Sequence, residues 1–92
     1  MIARIATESQ YRLGDEAAAQ LNELDNEAVA AVDGDDEDRF HEVFEQMLDL
    51  VRREGRPLGE DELAESDVIL PPPDMTFVEA RTEFTGEGLI PD

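Results

Sequence analysis

The chain has 92 residues, of which 25 are acidic and 7 basic, so its formal net charge is −18. A length of this order predicts a single domain over residues 1–92. All the basic residues are arginine, and cysteine is absent. Disulfides, thiol catalysis and cysteine-ligated zinc are therefore excluded. The net charge also argues against direct contact with nucleic-acid phosphates or anionic membranes.

The acidic residues are spread along the whole chain, a pattern that indicates adaptation to molar salt. Carboxylates at this density repel one another in dilute buffer. At about 1 M salt the Debye length falls to about 3 Å, and the repulsion fades. The alternative, an acidic tail or nucleic-acid mimic, would cluster its acids. With no apolar run near the roughly 20 residues of a spanning helix, and no signal peptide after Met1, we expect a halophilic cytoplasmic protein.

The N-terminal residues predict a β-hairpin over residues 2–13. Ile2, Arg4 and Ala6 alternate with Ala3, Ile5 and Thr7, which is the period of a strand. Residues 8–10 form the predicted turn, and Tyr11 to Leu13 the returning strand.

Two amphipathic helices are predicted next, joined by a short polar link and therefore antiparallel. The first begins at the N-cap Asp15 and ends at Gly34, the favoured left-handed residue. The second begins near Asp36, carries an acidic first turn and ends at Gly55. The first helix has an apolar seam at Ala17, Leu21, Leu24, Ala28, Ala31 and Val32, and the second has a stripe at Phe40, Val43, Phe44, Met47, Leu48 and Val51.

The last third of the chain is less regular. We predict one helical turn at 60–63, a third strand at 68–70 and a stiff proline crossover at 71–73. The alternative for the three prolines is a ligand for an aromatic groove. Thr76 and Glu79 form a T-x-x-E capping box for a final helix, which Gly86 and Gly88 end. The apolar tail 88–91 either docks on the core or extends the sheet.

These elements predict an α+β fold: a small antiparallel sheet from the N-terminal hairpin, packed on an α-helical hairpin plus a shorter C-terminal helix. The predicted core consists of Ile2 or Ile5, Tyr11, Leu13, Leu21, Leu24, Phe40, Phe44, Met47, Val51, Ile69, Phe77 and Phe84. Val29 and Leu50 lie off the main seams, so they either pack on the hairpin or remain for a partner.

No pattern of catalytic or ligand-binding residues is recognisable, so we expect no enzyme activity, no cofactor and no metal site. His41 is the single histidine, and no nucleophile is near it in sequence. The acidic run 33–38 does not match a calcium loop, because Gly34 falls at position two and not at position six. We interpret that run as a solvated helix start.

Six sequence blocks resemble the PspA-associated family, PspAA, in its haloarchaeal type. The blocks are Met1–Ile5, Gln10–Arg12, Leu21–Asp25, Arg56–Leu58, Ser66–Asp74 and Gly86–Pro91. The most specific are Ser-Asp-Val-Ile-Leu-Pro-Pro and the ending Gly-Glu-Gly-Leu-Ile-Pro. The resemblance covers essentially the whole chain.

The resemblance implies an accessory or regulator in a phage-shock-type response to membrane stress. Its partner would be PspA, a helical membrane-remodelling protein, and the chain would reach the membrane through that partner. The residues alone leave open a small transcription-related module, a small-ligand-binding protein and a homo-oligomer. For the partner surface we predict Gln10, Tyr11 and Arg12 together with Asp67, Val68 and Asp74.

Overall fold

A computed structural model describes residues 1–6, 8–59, 65–84 and 88–89. These residues form four strands and three helices. In chain order they are β1 (Ile2–Ile5), β2 (Gln10–Arg12), α1 (Asp15–Asp33), α2 (Glu37–Glu54), β3 (Arg56–Pro57), β4 (Val68–Leu70) and α3 (Phe77–Glu83). None of the helices in this described part is both long and apolar enough to cross a membrane.

The predicted α+β class is confirmed. The strands form one sheet in the order β3-β2-β1-β4. β1 and β2 are the predicted antiparallel hairpin, and 68–70 is the predicted third strand. β4 lies parallel to β1, which makes the sheet mixed. The strand β3 was not predicted, because its two residues include Pro57, and a proline at an edge strand gives no alternation to read.

The helical hairpin is confirmed, with two corrections at its ends. The N-cap of α1 is Gly14, and Asp15 is the first helical residue. The negative charge of Asp15 stabilises the positive end of the helix dipole, but its side chain does not cap the helix. The left-handed residue after α1 is Asp35, with φ 57°, and not Gly34, with φ −84°. The helix α2 begins next to Asp36 as predicted, and the side chain of Asp36 caps it by accepting from the amide of Arg39.

The core lies between the helices and one face of the sheet. All four phenylalanines meet there, with Phe40 at the centre and ring centroids 5.2–5.8 Å from Phe44, Phe77 and Phe84. This cluster joins α2 to α3. The prediction of Ile69 as a core residue was wrong: its side chain is 58% exposed, and its neighbours Val68 and Leu70 are buried instead. Tyr11 and Leu24 are half-buried and pack against the core.

The C-terminal helix has the predicted capping box, in which Thr76 and Glu79 each accept from the other's amide. It ends at Glu83, earlier than expected, with Phe84 as its buried C-cap. Pro71–Pro73 connect β4 to this helix as the predicted crossover, and Pro71 is buried. The helical turn at 60–63, the stop at Gly86 and residues 90–91 of the tail lie outside the described residues.

Candidate interaction surface

The sheet has one face on the core and one face turned away from the helices. Alternation along β1 and β4 turns Ala3, Ile5, Val68 and Leu70 into the core. Their neighbours Arg4 and Ile69 point the other way and are exposed. The register then assigns six residues to what we call the outer face. They are Ile2, Arg4, Gln10, Arg12, Arg56 and Ile69.

The outer-face residues form two rows across the strands. In one row Arg12 lies between Ile2 and Arg56. In the other, Arg4 lies between Gln10 and Ile69. Directly paired residues on neighbouring strands have Cα atoms about 4.5–5.5 Å apart. The surface therefore combines three guanidinium groups with the exposed side chain of Ile69, whereas Ile2 is only 9% exposed.

The seven arginines divide by location. Arg39, Arg52, Arg53 and Arg81 lie on the helices, and each forms an ion pair with a carboxylate. Arg4, Arg12 and Arg56 of the outer face form no ion pair with any residue that the structure describes. The arginines without an ion pair among the described residues thus all lie on the sheet.

Two hydrogen bonds hold the start of β4 beside the hairpin. The amide of Ile2 donates to Oδ2 of Asp67 over 2.7 Å. Gln10 Nε2, on β2, donates to Oγ of Ser66 over 2.8 Å. Both bonds span more than 50 residues of sequence, and they fix the position of β4 on the sheet.

The structure brings together three of the six predicted surface residues. Gln10 and Arg12 lie on the outer face, and Asp67 lies at its border. Val68 is 3% exposed in the core, so it adds no surface, and Tyr11 alternates inward against the core. Asp74 is exposed in the turn between Pro73 and α3.

Besides Ile2, which is buried, three residues of the surface were not predicted. They are Arg4, Arg56 and Ile69. The alternation of Ile5 with Arg4 already carried the signal for the first. Ile69 was assigned to the core because it is the middle residue of an apolar run, where the period of a three-residue strand cannot be read. Arg56 lies on the unpredicted β3, so its place on the sheet had no signal.

A second cluster lies at the buried carboxylate of Asp25 on α1, which sequence reasoning also missed. Asp25 is fully buried, and its Oδ1 accepts from the amide of Leu89 over 3.0 Å. Gly88 packs directly on this carboxylate with φ +82°, and a Cβ there would lie 2.6 Å from Oδ2. The tail 88–89 therefore docks on α1, one of its two predicted alternatives.

An exposed ion pair connects the hairpin turn to α2. Arg52 Nε donates to Oε1 of Glu8 over 3.1 Å, and a second guanidinium nitrogen bonds the other oxygen. This hydrogen-bonded guanidinium lowers the pKa of the Glu8 carboxyl, and the carboxylate in turn raises the pKa of Arg52.

The two residues off the helical seams pack inside the molecule. Leu50 is 3% exposed, and Val29 is half-buried against the core. Leu50 and Leu24 line a groove of about 410 Å³ between α1 and α2. Its remaining lining is polar, with Glu23, Glu27 and Asp49 among it.

A family comparison assigns the chain. The PspA-associated protein family, PspAA, matches residues 1–92. The chain belongs to the PspA-associated protein family. Its description links the chain to PspA. No curated protein and no solved structure matches the chain.

The blocks that carry the resemblance to PspAA make up the two clusters described above. Met1–Ile5, Gln10–Arg12, Arg56–Leu58 and Ser66–Asp74 contain the four strands. Leu21–Asp25 supplies the buried carboxylate, and the C-terminal block supplies Gly88 and Leu89, which pack on it. The helix α2 lies outside every block. The blocks therefore lie in the sheet, in α1 and in the docked tail.

Proposed function

We propose that this chain is a non-catalytic accessory protein of a PspA-type response to envelope stress, acting by protein–protein binding. The observation that carries the proposal is the family match over the entire chain. The structure supports it in one respect: Arg4, Arg12 and Arg56 are exposed on the sheet and form no ion pair with a described carboxylate. The chain would then regulate a PspA-like partner by binding to it and altering its assembly.

The first test is affinity purification of the tagged chain at about 2 M KCl, a concentration that screens nonspecific ionic contacts. We expect a PspA-like protein in near-stoichiometric amount. A second tagged domain of similar size and net charge controls for nonspecific recovery. If the folded bait recovers no PspA-like protein, or if the control recovers as much, the proposal is wrong.

The same experiment extends to membrane recruitment. We expect the chain to sediment with membrane vesicles when the PspA-like protein is present and to stay in the supernatant without it. This follows because the net charge of −18 repels an anionic bilayer and leaves the partner as the route to the membrane. Sedimentation of the chain alone would contradict this part of the proposal.

A further inference from the structure

The sheet ends in two edge strands that differ in how well they are protected from further pairing. β3, at one edge, has two residues, Arg56 and Pro57. A charge or a proline at an edge discourages another strand from pairing there, and proline has no amide to donate. β4, at the other edge, is Val68–Leu70, which contains neither a charge nor a proline. Such an edge is a template for a further strand.

The backbone of Ile69 points to this free edge. The register pairs Ile5 with Leu70, and the amide of Ala6 donates to the carbonyl of Leu70 over 2.9 Å. Leu70 therefore turns its backbone groups toward β1. Successive residues of a strand point their backbone groups to opposite sides. The N–H and C=O of Ile69 thus point away from β1, and no described residue bonds them.

The surface around this edge is apolar. Ile69 is 58% exposed, and an open groove of about 360 Å³ lies beside it. The groove has one carboxylate and is otherwise apolar, with a lining of Ala6, Ile69, Leu70, Pro71, Pro72 and Glu83. The acid just before β4, Asp67, has its Oδ2 on the amide of Ile2, so its charge is turned toward β1. The edge therefore offers main-chain hydrogen bonds and apolar contact in a strongly acidic chain.

We propose that β4 pairs with β4 of a second copy of this chain, antiparallel and across a two-fold axis at Ile69. The amide of Ile69 in each copy donates to the carbonyl of Ile69 in the other, as in a hydrogen-bonded antiparallel pair with Cα atoms about 5.5 Å apart. The same patch meets itself, which an isologous interface requires.

The limits of the edge favour a second copy over a longer strand from another protein. Pro71 has no amide, and the amide of Asp67 already donates to the carbonyl of Ile2 over 2.8 Å. The edge of β4 therefore offers the single donor and the single acceptor of Ile69. A second β4 supplies one acceptor and one donor in return, whereas a longer strand would leave its further groups unpaired. The inference does not depend on the proposed function.

Salt separates this contact from an ionic association. The proposed contact contains no ion pair, and two chains of net charge −18 repel each other in dilute buffer. Molar KCl screens that repulsion, so the dimer should strengthen with salt. Because the contact is short, we expect a weak dimer, with a Kd of about 100 µM in about 2 M KCl by sedimentation equilibrium. In about 0.5 M KCl the Kd should be at least about threefold higher.

A matched pair of variants tests the place of the contact. Ile69→Lys puts a charge on the edge, which is how natural edge strands avoid pairing. Val78→Lys makes the same change on α3, where Val78 is 76% exposed. Circular dichroism checks that both variants fold. We expect Ile69→Lys to raise the Kd of the dimer at least about tenfold and Val78→Lys to keep it within about threefold of wild type.

A cross-link tests the register. The chain has no cysteine, so a single substitution allows one disulfide between two copies. Ile69→Cys would place two residues opposite each other on the two-fold axis, and their Cα separation of about 5.5 Å lies within the roughly 4.4–6.8 Å that disulfides span. Under mild oxidation we expect Ile69→Cys to form a covalent dimer and Val78→Cys to do so only at the rate of random collision.

Three results would overturn the inference. They are a wild type that stays monomeric at about 1 mM in about 2 M KCl, a dimer that Ile69→Lys leaves intact, and equal cross-linking of the two cysteine variants. If the wild type is monomeric and Ile69→Lys instead weakens binding to the PspA-like protein, the edge takes a strand of that protein and not a second copy. All these results leave the proposed function standing, because recovery of a PspA-like protein by the wild type tests that function separately.

Discussion

Single residues fix where the tail of the chain lies, and Asp25 is the clearest case. A carboxylate with no exposure is costly unless hydrogen bonds satisfy it, and the amide of Leu89 supplies one. The contact joins α1 to a segment 64 residues further along. The sequence does not reveal it, because one acid among 25 carries no mark of burial.

Replacing Asp25 should therefore destabilise the fold in a graded way. We expect Asp25→Ala to lower the free energy of unfolding by about 1–3 kcal/mol, since it leaves the part-buried Leu89 amide without its acceptor. Asp25→Asn keeps an acceptor oxygen and should lose less. Urea denaturation at fixed molar KCl measures both. Equal losses for the two variants would show that the hydrogen bond to Leu89 is not the source of the stability.

The ion pair between Glu8 in the hairpin turn and Arg52 on α2 should make a pH-dependent contribution to the free energy of unfolding. Because the folded pKa of Glu8 is lowered, the pair stabilises the fold above the ordinary Glu pKa of 4.5, and the contribution is lost as the pH falls through the folded pKa. We expect Glu8→Gln to cost up to about 1 kcal/mol at pH 7, as for an exposed pair.

The gap in unfolding free energy between wild type and Glu8→Gln should narrow as the pH falls below the ordinary Glu pKa of 4.5. It should close below the lowered folded pKa, where wild-type Glu8 also becomes neutral. Glu83→Gln is the matched control, since Glu83 is exposed and forms no ion pair within the described residues. A gap that does not narrow below pH 4.5 would rule out the ion pair as its origin.

At the scale of elements, the apolar periodicity predicted the two long helices correctly. The capping signals predicted only some of the helix ends. Both long helices, the hairpin and the capping box of α3 follow from apolar spacing and side-chain chemistry. β3 does not, because two residues cannot display a period. Its position depends on Gly55, where a Cβ would clash with the carbonyl of Val51 and with Tyr11, and only the folded contact of α2 with β2 reveals that.

The outer face was only partly predictable for the same reason. Gln10 and Arg12 were predicted as surface residues because they lie in a block that resembles PspAA. The inward orientation of Tyr11 between them follows from the alternation of a strand. Arg56 and Ile69 depend on how β3 and β4 pair with the hairpin, and pairing over such sequence separations leaves no local signal. The positive surface therefore emerges only from the assembled sheet.

At the scale of the whole molecule, the net charge of −18 predicts that the stability of the fold depends on salt. Raising KCl from about 0.1 M to about 1 M shortens the Debye length from about 10 Å to about 3 Å. Repulsion between carboxylates on the helices then falls, and that repulsion opposes the compact state. We expect the melting temperature to rise steadily over this range of KCl.

A variant with fewer charges separates screening from the general strengthening of apolar burial by salt. Glu23, Glu45, Asp49 and Glu83 are exposed and form no ion pair with a described residue, so Glu→Gln and Asp→Asn changes there remove charge without breaking a described pair. Screening predicts a higher melting temperature at 0.1 M KCl and a smaller rise with salt than in wild type. If the rise is the same in both proteins, salt acts through apolar burial and the acidic surface is not what makes the fold depend on it.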